Sequence, residues 1–159
     1  MQILNVRDVA ESKFESPKGK FGSVDQSLSL ALGRDGNSTD LLQRHPFDVE
    51  ISTVPPGKAN CPYHSHSAQW EFYHVLSGTG KVRHEGGFAE IKAGDFFLFK
   101  PHEAHQIIND GTEGLTYSVV ADNPMGESCY YPDSKKWAVR SPGRSIIRSE
   151  SLGYFDGEE

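Results

Sequence analysis

Long apolar runs are missing from this 159-residue sequence. No stretch approaches the roughly 20 consecutive apolar residues that a membrane-crossing helix needs, and the opening residues lack the basic-then-apolar order of a signal peptide. A cytoplasmic protein with no membrane partner is expected. Basic charge is also short: 16 Lys and Arg against 22 Asp and Glu leave a formal charge of −6. A phosphate-backbone partner requires clustered cations, so nucleic acid is not expected. Cysteine is scarce. Cys61 and Cys129 are two lone residues with no Cys-x-x-Cys pair, which gives no ground for a disulfide framework or a thiolate zinc site. No internal repeat, low-complexity tract or linker divides the chain, so residues 1–159 are read as one domain.

What is present is a series of short strand-like runs. Phe47, Val49, Ile51 and Thr53 alternate with polar residues until Pro55-Pro56-Gly57, the pattern of a half-buried strand ending in a turn. Similar runs recur at Trp70 to Leu76, Lys81 to His84, Phe88 to Ile91, Phe96 to Phe99, Gln106 to Ile108 and Leu115 to Val120. Glycine turns separate them, among them Gly78, Gly86-Gly87, Gly94 and Gly111. Even spacing without an intervening helical pattern predicts an all-β sandwich or barrel with a core over about residues 46–122. Residues 1–45 read as an irregular arm with a polar stretch at Arg34-Asp35-Gly36-Asn37-Ser38. Residues 123–159 read as an extension adding an edge strand or two before a charged end at Asp156 to Glu159. Leu28 to Leu32 reads as strand-forming and able to pair with the sheet edge of a second copy, so a homodimer is expected.

Four side chains carry the chemistry. His64 and His66 lie two apart, so on a strand both imidazoles leave one face, about 6.5–7 Å apart along the backbone. Ser67-Ala68-Gln69 can turn the chain so that Glu71 returns beside them, and a barrel can bring His105 opposite. Three imidazoles and a carboxylate suit one divalent transition metal ion, Zn, Fe, Mn, Ni or Cu, better than Mg or Ca. Tyr73 shares the phase of Glu71. It reads equally as a core aromatic and as a proton-donating site residue, the candidate catalytic group. Gln69, His102 and Asn109 complete the candidate substrate pocket, with Gln69 placed to orient a ligand from behind and His102 fitting a plain turn as well as a substrate contact. His74 should face away from the site, His84 belongs to a hairpin, and His45 to a loop. Cys61 should face away as a buried, inert thiol.

Gly57, His64-x-His66, Glu71 and Gly78 resemble the first motif of the cupin superfamily, with one extra residue in the first gap. Gly94, His105 and Asn109 are in register with the second motif, where Lys100 stands in place of the usual Pro and His102 in place of the usual Gly. The resemblance implies a cupin fold, a double-stranded β-helix or jelly-roll barrel, with His64, His66, Glu71 and His105 as metal ligands. It also implies a small-molecule substrate. Three functions compete: a metal-dependent enzyme on a small polar substrate (a sugar or keto acid isomerase or lyase, or a dioxygenase), a non-catalytic small-molecule binding module, and a metal-free epimerase using His64 and Tyr73.

Overall fold

The computed structural model describes residues 1–140 and 144–158; residue 159, the last of the charged end, and residues 141–143 lie outside the described residues. The chain begins with strands β1 (Ser12–Glu15) and β2 (Gly22–Ser27), then two short helices, α1 (Leu28–Ala31) and α2 (Leu41–Arg44). Strands β3 (Phe47–Val54), β4 (Ser65–His66), β5 (Glu71–Ser77), β6 (Thr79–His84), β7 (Gly87–Lys92), β8 (Phe96–Phe99), β9 (His105–Ile108) and β10 (Leu115–Asp122) follow. The C-terminal part adds β11 (Cys129–Tyr131), β12 (Lys136–Arg140) and β13 (Arg144–Ile147).

These strands form two antiparallel layers. One is six-stranded, in the order β1-β2-β3-β10-β5-β8. The other consists of β7-β6-β9 and β4-β11-β12-β13, joined where the backbones of His64 and His105 exchange hydrogen bonds of 3.1 and 2.8 Å. Val54, Tyr73, Val75, Leu115 and Tyr117 from the first layer pack with Val82, Ile91 and Ile107 from the second in one core. Val54, Val75, Ile107 and Leu115 are fully buried, each contributing about 1.5–3 kcal/mol by leaving water. This is the all-β jelly roll that the strand spacing predicts. At Gly80 a Cβ would stand 2.5 Å from the Ile108 carbonyl oxygen, so only glycine lets β6 approach β9 this closely.

The register of the six-stranded layer sets a gradient along its inner face. Val54 pairs with Leu115, and Ser52 pairs with Tyr117, which pairs with Val75. Next comes the row Glu50, Val119, Tyr73, and then the row Asp48, Ala121, Glu71. The face thus passes from apolar to charged toward one end, where the site lies.

Three expectations change. Leu28–Ala31 is helical, not a strand, because β2 ends there and the chain turns over β3, where the Ser29 hydroxyl accepts from the Val49 amide at 2.7 Å. The arm is not an irregular lead-in: β2 pairs with β3 from Val24 opposite Thr53 to Ser27 opposite Glu50, which uses the edge that an intermolecular strand would have taken. The extension contributes three strands, and β11 pairs with β4 directly at His66. The alternation in β3 has the opposite sense from a strand with an apolar inner face. Phe47 is half exposed on the outside, in register with Asp122, while the polar set Asp48, Glu50 and Ser52 faces inward. On that outer face Phe72, Leu76, Phe96, Leu98 and Val120 are also exposed.

Candidate metal centre

His64 is fixed by its backbone bridge to His105, His66 by β4, Glu71 by the first position of β5 and His105 by the first position of β9. Their donor atoms all lie within 4.8 Å of one another. The Nε2 atoms of His64 and His66 are 3.1 Å apart, His105 Nε2 is 2.8 Å from Glu71 Oε2 and His66 Nε2 is 3.5 Å from Glu71 Oε1. Ligands bonded at about 2.0–2.2 Å to a single ion stand at comparable separations.

The far side of each ring explains why these atoms converge. His64 Nδ1 is 3.0 Å from the Pro62 carbonyl, His105 Nδ1 is 3.1 Å from the Glu103 carbonyl, and His66 Nδ1 is 3.2 Å from Glu127 Oε1. An acceptor at every Nδ1 draws the ring proton there and leaves the Nε2 lone pair facing inward. Three Nε2 atoms and two carboxylate oxygens then meet around one point. The Tyr73 hydroxyl donates to Glu71 Oε2 at 3.1 Å from outside the cluster. So many buried acceptors facing one another are unfavourable unless a cation lies between them. The donor set fits a divalent transition metal ion.

The electrostatics of the cluster agree. Burial, followed by the neighbouring His105 and His66, pushes His64 down to about 3, against the opposing pull of Glu71 and the Pro62 carbonyl. Burial alone would raise Glu71, but the hydrogen bond that a protonated His105 would donate and the positive charge that the three imidazoles would carry when protonated bring it down to about 2; a cation among the same nitrogens would act on it in the same direction. His64 and Glu71 therefore hold the forms that ligate, neutral imidazole and carboxylate, to low pH. Glu127 is the residue that sequence reasoning missed. Besides orienting His66, its carboxylate accepts from the backbone amides of Ser67, Ala68 and Gln69, each at 2.9 Å, pinning the turn between the ligands. It lies sixty-one positions after His66, and no motif or periodicity marks it.

A cavity of about 340 Å³ opens onto the cluster, lined by His64, His66 and Glu71 together with Gln69, Glu50, Arg34 and Arg44. Of the expected pocket residues, Gln69 lines it, with its amide donating to the Asp122 carbonyl. Tyr73 is buried behind the ligands between Phe97, Tyr117 and His105 and is not among the lining residues. Burial, reinforced by Glu71, keeps its hydroxyl protonated. Asn109 is fully buried in a turn, donating to the Val54 and Glu113 carbonyls. His102 is exposed with a φ of 71°, the conformation for which glycine is suited, and its amide donates to the His66 carbonyl at 2.7 Å. Neither Asn109 nor His102 lines the cavity. Cys61 does, with its Sγ 3.5 Å from His64 Nδ1, so it faces the site and not away from it. Position 61 precedes β4, and its irregular backbone breaks the alternation from which the opposite was inferred. Burial, then Glu71, pushes its thiol up, which keeps it protonated and unreactive.

Substitution is expected to separate ligand from bystander: His66→Ala and His105→Ala should each abolish most of the divalent metal retained on purification, and His74→Ala should leave it unchanged. Glu127→Gln lowers metal affinity about 10- to 100-fold; elemental analysis and chelator competition read both effects. The chelated protein has a second signature. His64 refuses, in the folded state, a proton that the unfolded chain accepts between about pH 6.5 and 3, and Glu71 does the same between 4.5 and about 2, so both lose stability as pH falls. Glu50, pushed up to about 7 first by burial and then by Asp25, acts in the opposite sense between 7 and 4.5. The urea midpoint of metal-free protein therefore falls steeply below pH 4.5, and in Glu50→Gln the decline begins near pH 6.5. A wild-type midpoint that rises between pH 4.5 and 3 would contradict these assignments.

Comparison with known proteins agrees with this architecture. Residues 50–121 match the family model described as a cupin domain. In fold, the chain is similar to a protein of Acidithiobacillus ferrooxidans provisionally named a sugar phosphate isomerase, with 27% identity and a TM-score of 0.79 over 95% of this chain and 96% of that one. A sugar phosphate isomerase from a cupin superfamily, of Silicibacter pomeroyi, gives 21% identity and a TM-score of 0.77 over 96% and 98%. A predicted oxalate decarboxylase of Thermotoga maritima gives 21% and 0.63 over 77% and 100%. No match is found among curated proteins by sequence. The matched segment runs from within β3 to within β10 and includes all four converging side chains, and together with these neighbours it supports a small cupin-barrel protein.

Proposed function

We propose that this chain binds one divalent transition metal ion through His64, His66, Glu71 and His105 and catalyses isomerisation of a small hydroxy-carbonyl compound, a sugar or keto acid. The observation that carries this reading is a protonatable carboxyl group in the cavity that opens onto the ligand cluster. Glu50 stands on the inner face one row below Asp48, next to Val119, lines the cavity and accepts from the Ser52 hydroxyl at 3.1 Å. Burial first, then Asp25, raises it to about 7, the range in which a carboxyl group gives and takes protons readily at neutral pH. A bound ion would supply polarisation of a carbonyl or hydroxyl oxygen.

Glu50 takes the proton-carrying role in place of Tyr73, whose hydroxyl is held on Glu71 behind the cluster and steadies that carboxylate. The neighbours named sugar phosphate isomerase support the reaction class. The metal-free epimerase reading is weaker, because the His64 lone pair faces other ligands and Tyr73 lies outside the cavity. The expected result of screening purified, metal-replete protein against aldose–ketose and keto-acid pairs by proton NMR is interconversion of one pair. Glu50→Gln then lowers kcat about 10²- to 10⁴-fold with metal content unchanged. Ligand binding without turnover would favour a non-catalytic binding module, and oxygen consumption with substrate would favour a dioxygenase.

A homodimer is proposed as well, on different grounds from those in the sequence. Phe72, Leu76, Phe96, Leu98 and Val120 form an exposed apolar patch on the outer face of neighbouring strands β10, β5 and β8, and such patches mark association surfaces. Sedimentation is expected to give a dimer that Phe96→Asp converts to monomer; a monomeric wild-type protein at micromolar concentration would exclude it.

A further inference from the structure

At the outer row of the inner face, one side of the cavity is built by two arginines from the N-terminal arm. Arg44 is 92% buried by its exposure of 8%, with its guanidinium donating to the carbonyls of Asn123, Gly36 and Pro124 at 3.2–3.3 Å. Those contacts hold the group in place, and among the described residues no carboxylate forms an ion pair with it, a costly state for a buried ion. Arg34 donates to the Asn123 side chain at 3.0 Å and pairs with Asp48 at 3.0 Å, while its Nε is buried without a partner. Of the two guanidiniums, Asp48 thus pairs with that of Arg34.

The register fixes where this pair lies relative to the ligands. Asp48 is opposite Ala121, and Ala121 is opposite Glu71, so the positions of Asp48 and Glu71 are two strand spacings apart, about 9.5–10 Å. Glu50 occupies the adjacent row. A small molecule reaching from the arginines to the ligand cluster would pass over Ala121, with the Glu50 carboxyl group on the row beside it.

We propose that Arg34 and Arg44 form the anion-binding end of the cavity, holding the phosphate or carboxylate group of a substrate whose reacting end faces the His64, His66, Glu71, His105 cluster. The placement of the reacting end rests on the function proposed above; the anion subsite does not. Guanidinium groups recognise both kinds of anion through charge-assisted hydrogen bonds, and the subsite gives the arm a role in selecting anionic over neutral substrates.

Calorimetric titration of the full chain, metal-loaded and chelated, with inorganic phosphate, acetate and neutral glycerol tests the subsite without any turnover. Phosphate or acetate is expected to bind in both forms and glycerol in neither. The anion that binds tells a phosphate ester from a carboxylate. Arg34→Gln, and Arg34→Gln combined with Asp48→Asn to remove the paired charge, are expected to weaken that binding about 10- to 100-fold with metal content and thermal midpoint preserved in at least the double variant. Anion binding that vanishes with the metal, that survives both variants undiminished, or that is absent for both anions would overturn the proposal. A protein that binds anions as described yet turns nothing over would refute the isomerase reading alone.

Discussion

Everything at this site depends on three imidazoles being held by their far nitrogens. Pro62, Glu103 and Glu127 each present an acceptor to an Nδ1, and the consequence is that three Nε2 lone pairs and the Glu71 carboxylate are turned on one another. Left alone, such a cluster is electrostatically strained; with a cation between its members it becomes a strong point of the structure. The fold bears the arrangement because its supports are rigid. Two of the acceptors are backbone carbonyls flanking paired segments, and the third is a carboxylate fixed by three amides of the turn it stabilises.

The jelly roll supplies position, and the gradient along its inner face supplies environment. Fully buried Val54, Leu115 and Val75 at one end anchor the layers, while the rows containing Glu50, Tyr73, Asp48 and Glu71 carry polar groups toward the cavity. Tyr73 stands at the boundary. Stacked on Phe97 at 5.2 Å between ring centroids and hydrogen-bonded to Glu71, it links core packing to the orientation of a ligand. The arm and the C-terminal extension then close the cavity from two sides, one with Arg34 and Arg44 and the other with Glu127 and Arg144.

The sequence was most informative where local spacing determines geometry. The ligand spacing His64-x-His66, Glu71 and the placement of His105 at the start of a strand were readable because alternation within a strand and the register of neighbouring strands follow from short-range rules. Strands β3, β5, β8 and β10 were legible for the same reason. Groups acting across long separations were not. Glu127 meets His66, and Arg44 meets Asn123 and Pro124, only through the closed topology, and nothing near them in the chain signals it. The alternation in β3 shows that the strand has two unlike faces without showing which one meets the core. Here the outer face is apolar and the inner one carries the site. Leu28 to Leu32 deceived in a related way: its composition suits a strand, but the chain must turn at the end of β2, and a single helical turn does this.

X-ray absorption spectroscopy of the protein purified without chelator, at the edge of whichever metal it carries, examines the convergence of these side chains most directly. The expected spectrum has a first shell of nitrogen and oxygen at about 2.0–2.2 Å with the multiple-scattering pattern of several imidazoles and no sulfur. A sulfur shell near 2.3 Å, from Cys61 or Cys129 drawn into the coordination, or a shell without imidazole scattering, would contradict it.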